Sequence, residues 1–352
     1  MLRIGVIGYG YWGPNIVRNF NAVEGAKVVA VCDKNGEVLK KIGASNPDIK
    51  LCSDSRDILG AQDIDAVAIV TPVSTHYELA KSALQSGKHV FVEKPFTVTG
   101  AQALDLIEIS EKENLKVMVD HTFLFTGAVR LIKKLMGRGE LGDIYYYDSI
   151  RVNLGLFQHD VNVVWDLAPH DFSIMRYLID ESPVALSAWG RSHINKMEDI
   201  AYVTVHFGTS KIAHFSVNWL SPVKVRTTLI GGEKKMLVWN DVIADDKIKI
   251  YDKGVEVKSR QGIYDLLVSY RSGDMWAPKV EQTEALKLEC QHFVDSIERD
   301  QTPLNSAYQG LEVVQMLEAC NQSIKNGGRM VNIENLVSAP SSSFAAIEDE
   351  KE

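Results

Sequence analysis

A glycine-rich turn near the start of the chain constrains the fold more than any other feature. An apolar, strand-like run leads directly into the pattern GxGxxG, whose glycines are Gly8, Gly10 and Gly13, and a helical segment follows. In this context the first glycine permits a tight turn, the second lets a pyrophosphate approach the backbone, and the third lets helix and strand pack closely. Free N–H groups at the helix start favour phosphate. The turn therefore predicts a dinucleotide-binding unit.

Strand-like and helical segments alternate as far as about residue 120. The predicted strands are Leu2–Gly8, Lys27–Cys32, Ala66–Val70, Val90–Val92 and Lys116–Val119, with helices near 14–23, 75–86 and 98–113. Short apolar strands separated by helices indicate a parallel sheet covered on both faces. We therefore predict an α/β, doubly wound Rossmann domain over residues 1–120.

The pattern changes in the second half of the chain. A helix predicted near His170–Ile179 is followed by six strand-like stretches between Val184 and Tyr251 without helices between them, and by two late helices near 281–299 and 306–325. Consecutive strands are typical of an antiparallel or mixed sheet. Residues 121–335 are therefore predicted to form an α+β domain with a large, open, mostly antiparallel sheet. The Ser-rich, acidic residues 336–352 are predicted to be a mobile tail.

Composition excludes several classes of function. The 352 residues are 45% hydrophobic and carry a net charge of −8, which argues against a surface for nucleic acid or anionic membrane. No apolar run is long enough to span a bilayer, and the glycine-interrupted N-terminus does not resemble a signal peptide. The four cysteines lack the spacing of a zinc site. We therefore expect a cytoplasmic protein that binds no metal, no nucleic acid and no membrane.

An acidic residue follows the second strand, twenty residues beyond the last glycine of the turn. Asp33 at this place can bond the hydroxyls of the adenosine ribose and would repel a 2′-phosphate. Its neighbour Lys34 can tolerate that phosphate, and Asp33 taken alone is also compatible with an ordinary turn. Asp33 favours NAD as the cofactor, Lys34 weakens that preference, and NADP is the less favoured alternative.

Two further motifs follow later strands in a fixed order. Thr71-Pro72-Val73-Ser74-Thr75-His76 follows the third predicted strand, and Glu93-Lys94-Pro95 closes the next one, which begins with Gly87-Lys88-His89. The combined pattern TPxxxH…GKHVxxEKP resembles the superfamily of glucose–fructose oxidoreductase, inositol dehydrogenase and the rhizopine-catabolism dehydrogenases. The resemblance covers nearly the whole folded chain. It implies an NAD(P)-dependent dehydrogenase that acts on a CH–OH group, with the Lys94–Pro95 peptide in the cis form.

The resemblance also extends to a catalytic pattern DxGxH, present here as Asp166-Leu167-Ala168-Pro169-His170 with alanine replacing the glycine. A spacing of four places Asp166 and His170 on one face of a helix, and Pro169 is expected in its first turn. The family implies that Lys94 lies beside the nicotinamide and the reacting hydroxyl. His170 suits proton transfer, because its ordinary pKa is near neutrality, and Asp166 would orient the substrate. Taken singly, these residues also fit a helix cap and a helix-start histidine.

The predicted site comprises three sets of residues. The catalytic set is Lys94, His170 and Asp166. The predicted cofactor-binding residues are Gly8, Gly10, Tyr11, Trp12, Gly13, Asp33, Lys34, Thr71, Pro72, His76, Glu93, Lys94 and Pro95. The predicted substrate-binding residues are Lys94, His121, Phe123, Asn153, Gln158, Asn162, Trp165, Asp166 and His170. For His121 a buried core histidine is an equal alternative, and the polar segment 154–165 could instead support the second sheet.

Two segments indicate the class of substrate. His121–Phe125 and the run from Asp160 to Asp171 resemble the branch that oxidises the 3-hydroxyl of UDP-linked N-acetylhexosamines or their uronic acids, for amino-sugar and surface-polysaccharide synthesis. In that branch histidine at the proton-transfer position indicates an oxidase. The alternatives are a dehydrogenase of free sugars or inositol and a 3-ketoreductase of dTDP-deoxysugars. A non-catalytic NAD(P)-sensing regulator is disfavoured because both Lys94 and His170 are present. An apolar face on the second sheet predicts a homodimer or homotetramer.

Overall fold

The structure, a computed structural model, describes residues 1–155, 157–158, 160–257 and 268–333. They divide into two compact units, the first formed by Met1–Phe125 with Thr283–Gln315 and the second by Thr126–Gln282 with residues 316–333. The predicted tail, and two residues of the polar segment at positions 156 and 159, lie outside the described residues.

The elements are numbered in chain order. The strands are β1 (Leu2–Ile7), β2 (Ala26–Cys32), β3 (Lys50–Cys52), β4 (Ala66–Ile69), β5 (His89–Glu93), β6 (Val117–Asp120), β7 (Ile144–Leu154), β8 (Pro183–Arg191), β9 (Ile200–Phe207), β10 (Ile212–Asn218), β11 (Leu220–Gly232), β12 (Met236–Asn240), β13 (Ile248–Val257), β14 (Val268–Trp276) and β15 (Val331–Asn332). The helices are α1 (Gly13–Phe20), α2 (Gly36–Ser45), α3 (Arg56–Leu59), α4 (His76–Gln85), α5 (Gly100–Lys112), α6 (Gly127–Gly137), α7 (Val163–Leu178), α8 (Ala285–Glu298) and α9 (Ala307–Lys325).

The first unit contains a six-stranded sheet in the order β3-β2-β1-β4-β5-β6, with every neighbouring pair parallel. All residues of β4 and β6 are buried, as expected for strands that helices cover on both sides. The predicted Rossmann fold is confirmed. The short strand β3 and the helix α2 were not predicted; β3 has only three residues, and Ile42 is the one buried residue of α2.

The first unit also includes a segment from the end of the chain. Phe293 of α8 packs edge-on against Phe20 and Phe91, with ring centroids 6.0 and 5.7 Å apart. All three side chains are fully buried, so α8 belongs to the core of the first sheet. The predicted second domain included residues 283–315, and the structure differs from that boundary because burying these aromatic rings outweighs their distance in sequence.

The second unit contains a nine-stranded sheet in the order β14-β13-β12-β11-β7-β10-β9-β8-β15. Only the central β7–β10 pair among these strands is parallel, and the predicted large, mostly antiparallel sheet is confirmed. Phe172 of α7 meets Phe215 of β10 edge-on at 5.0 Å, so α7 packs on one face of this sheet. Among the described residues, no helix is both long and apolar enough to cross a bilayer.

Candidate active site

The glycine-rich turn lies between β1 and α1 in the first unit. Gly8 has a φ of +96°, and a Cβ there would lie 2.3 Å from the carbonyl oxygen of Val70. At Gly13 a Cβ would lie 2.9 Å from the carbonyl oxygen of Gly8, whereas at Gly10 it would meet no atom within 4 Å. The first and third glycines are thus required by local packing, and the second borders open space. This arrangement fits a pyrophosphate placed against the backbone at the start of α1.

Asp33 follows β2 and is tied to the same turn. Its Oδ2 accepts a hydrogen bond from the backbone N–H of Tyr9 at 2.7 Å, and its Oδ1 accepts one from Asn35 at 2.8 Å. A carboxylate has about four acceptor positions, so these two bonds leave capacity for ribose hydroxyls. Lys34 is exposed beside it. The geometry fits the predicted role of Asp33 and adds a second one, since its carboxylate also holds the glycine-rich turn.

His76 begins α4 and is buried. Its Nδ1 lies 2.9 Å from the carbonyl oxygen of Pro95, and its Nε2 lies 2.8 Å from that of Thr71. Burial lowers the pKa of the imidazole. Both ring nitrogens therefore face backbone carbonyls, and the ring joins the loop after β4 to the one after β5. The structure gives His76 a positioning role between the Thr71-Pro72 and Lys94-Pro95 segments, while its predicted contact with the cofactor stays a prediction.

Lys94 follows the last residue of β5. The Lys94–Pro95 peptide is cis, as predicted. The Lys94 backbone N–H donates to Glu93 Oε2 at 3.1 Å, and the Lys94 side chain is half-buried. The parallel strands β4, β5 and β6 all end at the same edge of the sheet. That edge is where open α/β sheets bind ligands.

Three acidic side chains lie close together near Lys94. Of these, only Glu93 was predicted as a site residue. Asp120 ends β6 in register with Glu93, and Glu289 comes from α8. Burial raises the pKa of Glu93 and of Glu289 well above the ordinary value for glutamate, and the nearby Asp120 raises both further. Close, buried carboxyl groups favour the uncharged form because the loss of solvent and the mutual repulsion of their charges outweigh the smaller, opposite effect of Lys94 on Glu93. We call Glu93, Asp120 and Glu289 the carboxyl cluster.

Polar neighbours hold the carboxyl cluster in place. Trp12 of the glycine-rich turn donates its indole N–H to Asp120 Oδ2 at 3.3 Å, and Thr122 donates its hydroxyl to Asp120 Oδ1. Asn305 donates to Glu289 Oε1 at 2.7 Å. The predicted cofactor residue Trp12 is thus fixed to the end of β6, while Tyr11 beside it is 89% exposed. In the described ranges, no group of three or more His, Cys, Asp or Glu side chains has the arrangement needed for a metal ion.

His121 follows Asp120 and is only 1% exposed. Burial, with a smaller contribution from the charge of Lys94, lowers its pKa to about 3. Neither ring nitrogen has a hydrogen-bond partner among the residues that the structure describes. The geometry favours the alternative of a neutral core histidine over a residue that lines the substrate pocket. Its neighbour Phe123 is half-buried in the same short helical turn, Thr122–Phe125.

The helix α7 of the second unit carries both Asp166 and His170. The sequence prediction placed its start near His170, which is wrong, because α7 begins at Val163. Asn162 provides the N-cap, and its Oδ1 accepts the backbone N–H of Trp165 at 3.1 Å. Pro169 consequently lies inside the helix rather than in its first turn.

Within α7, Asp166 and His170 have the placement that their spacing of four residues predicts. Asp166 and His170 project from one face of the helix, one turn apart, and both are half-buried. The N-cap of α7 is Asn162, so the alternative of Asp166 as a helix cap is not what the chain forms. A carboxylate and an imidazole on one helical face can together bind a hydroxyl group and move its proton.

The other predicted substrate residues differ in their surroundings. Asn162 uses its Nδ2 for Glu198 at 2.9 Å and for Asn321 at 3.1 Å, in addition to capping α7. Its side chain therefore has a structural role, which favours the interpretation of this segment as support for the second sheet. Trp165 is 7% exposed, and its indole N–H has no hydrogen-bond partner in the described part of the chain. Asn153 and Gln158 are half-buried.

An ion pair that sequence reasoning missed fixes α7 to the sheet. Arg151 of β7 donates to both carboxylate oxygens of Asp171, from Nε at 2.8 Å and from Nη2 at 2.9 Å. Each side chain is 4% exposed. Asp171 directly follows His170, so this bidentate contact sets the position of the helix at the proposed catalytic turn. An arginine in a strand that otherwise alternates between polar and apolar residues gives no signal of its partner.

Comparison with known proteins identifies both units. Residues 2–121 match the model of an oxidoreductase family with an NAD-binding Rossmann fold, and residues 129–238 match the model of a GFO/IDH/MocA C-terminal domain. The chain is 26% identical to scyllo-inositol 2-dehydrogenase (NAD+) of Bacillus subtilis, over 93% of this chain and 94% of that enzyme. It is also 26% identical to UDP-N-acetylglucosamine 3-dehydrogenase of Acidithiobacillus ferrooxidans, over 80% of this chain and 87% of that enzyme.

Two further comparisons show how far the likeness extends. The Escherichia coli oxidoreductase YdgJ is 32% identical over 48% of this chain, a match that spans about half, 51%, of YdgJ itself. A levoglucosan dehydrogenase in complex with NADH and L-sorbose superposes with a TM-score of 0.80 at 21% identity, over 96% of this chain and 99% of that one. At this identity the superposition shows a common fold.

Proposed function

The chain belongs to the GFO/IDH/MocA family of oxidoreductases with an NAD-binding Rossmann fold, and from that premise we propose that it oxidises the 3-hydroxyl of a nucleotide-linked sugar. The proposed substrate class is a UDP-linked N-acetylhexosamine or its uronic acid. The observation that carries the chemistry is the placement of Asp166 and His170 one turn apart on α7, in a chain whose first unit carries Lys94 after β5 and a glycine-rich turn after β1 of the same parallel sheet.

The proposed chemistry is the oxidation of a secondary alcohol to a ketone. NAD, held by the glycine-rich turn and Asp33, would supply the acceptor for the hydride of the carbinol carbon. His170 accepts the hydroxyl proton, a task suited to an imidazole whose ordinary pKa is about 6.5. The Lys94 ammonium polarises the same hydroxyl, and the Asp166 carboxylate accepts a hydrogen bond that orients the sugar. We assign Lys94, Asp166 and His170 as the catalytic residues.

The fit of the cofactor residues rests on features of the first unit. The glycine-rich turn would hold the pyrophosphate, and Asp33 would hold the adenosine ribose and oppose a 2′-phosphate. Lys94, at the end of β5, would lie by the nicotinamide. NAD is thus the cofactor that these residues suit, in agreement with the family to which the chain belongs.

Two observations support a nucleotide-linked sugar. The chain is similar to UDP-N-acetylglucosamine 3-dehydrogenase over most of both sequences. Its resemblance to the nucleotide-sugar branch in the segments around His121 and Asp166, together with histidine at position 170, favours the oxidase over the dTDP-deoxysugar ketoreductases. We further propose that the product serves amino-sugar synthesis for a surface polysaccharide.

A dehydrogenase of free sugars or inositol is the second candidate. It is favoured by the similarity to scyllo-inositol 2-dehydrogenase, whose alignment covers 93% of this chain. Both candidates use the same Lys94, Asp166 and His170, so they differ in what binds around these residues.

A panel of alcohols distinguishes the two candidates. NADH formation is measured at 340 nm with UDP-N-acetylglucosamine, UDP-N-acetylgalactosamine and their uronic acids, and with free N-acetylglucosamine, glucose and scyllo-inositol. We expect the UDP-linked compounds to have a kcat/KM at least about a hundredfold above that of the free compounds, since the nucleotide would contribute binding energy. Oxidation of free polyols alone would overturn the proposal and favour the second candidate.

A further inference from the structure

Trp219 stands between β10 and β11 in the second unit, and its side chain is 1% exposed. Its indole N–H donates to Asp166 Oδ2 at 3.0 Å. We propose that Trp219 is a positioning residue that sets the orientation of the Asp166 carboxylate toward the substrate, an inference that rests on the proposed function of Asp166. The GxGxxG, TPxxxH, EKP and DxGxH patterns do not include this residue.

The indole is suited to this task by its chemistry. A carboxylate turns about its Cβ–Cγ bond, and a fixed donor on one oxygen defines which way the other oxygen faces. Indole has one donor, no acceptor and no titration in the physiological range, so the polarity of the contact does not change with pH. A hydrogen bond to an ionised acceptor is also stronger than a neutral one. Because the ring is buried, water does not compete for the carboxylate on that side.

The same short segment holds Trp219 and the start of α7. The carbonyl oxygen of Asp199 accepts the backbone N–H of Trp219 at 2.9 Å, and that of Glu198 accepts the backbone N–H of Val163 at 2.9 Å. The Glu198 carboxylate also accepts a hydrogen bond from the capping residue Asn162 at 2.9 Å. The adjacent residues Glu198 and Asp199 thus hold the start of α7, which carries Asp166, and the backbone of Trp219. The distance between Trp219 and Asp166 is therefore set by backbone hydrogen bonds as well as by side-chain packing.

The segment is itself rigidly held. The Asp199 side chain is fully buried, and its Oδ2 accepts the backbone N–H groups of His193 at 2.7 Å and Ile194 at 3.1 Å. Asp199 N–H donates to the carbonyl oxygen of Arg191 at the end of β8. The turn between β8 and β9 is therefore held by several hydrogen bonds. Within it, Glu198 bonds the start of α7 and Asp199 bonds the backbone of Trp219.

The test replaces Trp219 by phenylalanine, which removes the donor and keeps an aromatic ring. Trp239→Phe is the matched control, because Trp239 lies in the same sheet, is 2% exposed, and has no partner for its indole N–H in the described residues. We expect Trp219→Phe to lower kcat/KM for the alcohol at least about tenfold. The KM for the alcohol should rise and the KM for NAD should stay unchanged, which a mere loss of folded enzyme would not produce. Trp239→Phe should stay within about twofold of the wild type.

A double-mutant cycle decides whether the effect passes through Asp166. In an Asp166→Asn background, Trp219→Phe should cause no further loss of kcat/KM, because the oriented carboxylate is already gone. An equal loss in both backgrounds, or equal behaviour of Trp219→Phe and Trp239→Phe, would overturn the positioning role. The assay uses whichever alcohol of the panel is oxidised. If the UDP-sugars fail, the cycle is run with the free sugar or inositol, so the proposed substrate and this inference fail separately.

Discussion

At the scale of single residues, each proposed catalytic group is placed by a neighbour whose own position is fixed. Lys94 follows a buried strand and donates its backbone N–H to Glu93. Asp166 accepts the indole N–H of Trp219. His170 precedes Asp171, which Arg151 holds. Such support lowers the cost of organising charged groups at the moment of reaction.

Lys94→Ala and His170→Ala should each lower kcat at least about a hundredfold, since each removes a group that polarises the hydroxyl or accepts its proton. Binding of NADH, followed by its fluorescence, should persist in both variants. Lys112→Ala, at an exposed position on α5, is the control for loss of one lysine. Near-normal turnover in both catalytic variants, with NADH still bound, would contradict the assignment.

At the scale of elements, α7 is held at its first turn and again at its middle. Asn162 caps the helix and also bonds Glu198 and Asn321. Pro169 has no N–H, so the helix lacks one of its usual hydrogen bonds directly before His170. The Arg151–Asp171 contact lies just after this gap. The helix is therefore secured on both sides of the turn where its own hydrogen bonding is weakest.

The role of Asn162 can be tested with a pair of variants. Asn162→Ala should lower the free energy of unfolding by about 1–2 kcal/mol, because it removes a cap. Asn162→Asp keeps the capping oxygen and should recover part of that loss. Both are measured by urea denaturation. If Asn162 instead binds the substrate directly, Asn162→Ala will raise the KM for the alcohol at least about tenfold without a matching loss of stability.

The Arg151–Asp171 ion pair predicts an asymmetry between single and double variants. Arg151→Met leaves the buried Asp171 carboxylate unpaired and should lower the free energy of unfolding by about 3–5 kcal/mol. The double variant Arg151→Met with Asp171→Leu should recover most of this loss, because neither charge remains. Urea denaturation of the three proteins measures it. Additive losses in the double variant would show that the two side chains do not depend on each other.

At the scale of the whole molecule, the carboxyl cluster links stability to pH. Burial holds the pKa of Glu289 well above its ordinary value, so the folded protein keeps a proton that the unfolded chain releases above about pH 4.3. This contribution to stability is complete below that pH and is lost as the pH rises toward the folded pKa. The slope is up to about 1.4 kcal/mol per pH unit for one proton.

Glu289→Gln should therefore flatten the decline in the free energy of unfolding between pH 5 and 8, because glutamine does not titrate. Urea denaturation at successive pH values measures the slope. Glu298→Gln, which removes an exposed carboxyl group from the same helix, is the control. A wild-type slope in Glu289→Gln would mean that Glu289 does not retain its proton in the folded state.

The second sheet presents apolar side chains in a row. The register aligns Trp189 of β8 with Tyr202 of β9, Tyr202 with Ser216 of β10, and Ser216 with Ile150 of β7. Trp189, Tyr202 and Ile150 are 51%, 50% and 38% exposed, while the alternate residues of these strands are buried. An exposed row with three large apolar side chains, interrupted only by Ser216, is typical of an interface. We propose that a second copy of this chain covers it.

Light scattering coupled to size exclusion should give a mass of two or four chains at micromolar concentration. The variant Trp189→Ser with Tyr202→Ser should shift that mass toward the monomer. Ile194→Ser is the control, since Ile194 is exposed at 65% but lies in the turn between β8 and β9. A monomeric wild-type protein would refute the proposed assembly.

The sequence by itself determined the elements whose signal is local. Glycines at fixed spacing, apolar strands and a strand-end Asp33 predicted the parallel sheet, the NAD turn and the position of Lys94. The ordered TPxxxH, EKP and DxAxH motifs pointed to the family and to Asp166 and His170. The predictions of the parallel sheet, of the family and of a helix carrying both Asp166 and His170 are confirmed, because strand–turn–helix geometry and one-turn helical spacing are set by residues within a few positions of one another. The catalytic roles of Lys94, Asp166 and His170 stay predictions.

Only the tertiary structure decided which distant residues hold these groups. Glu289 contacts Asp120 from the last third of the chain, Trp219 bonds Asp166 from the junction of β10 and β11, and Arg151 of β7 pairs with Asp171 of α7. It also placed the start of α7 at Val163, where the cap Asn162 is held by Glu198 and Asn321 in addition to its local bond with the backbone N–H of Trp165. Such contacts depend on burial and on the charge of partners far away in sequence, and no local period encodes either.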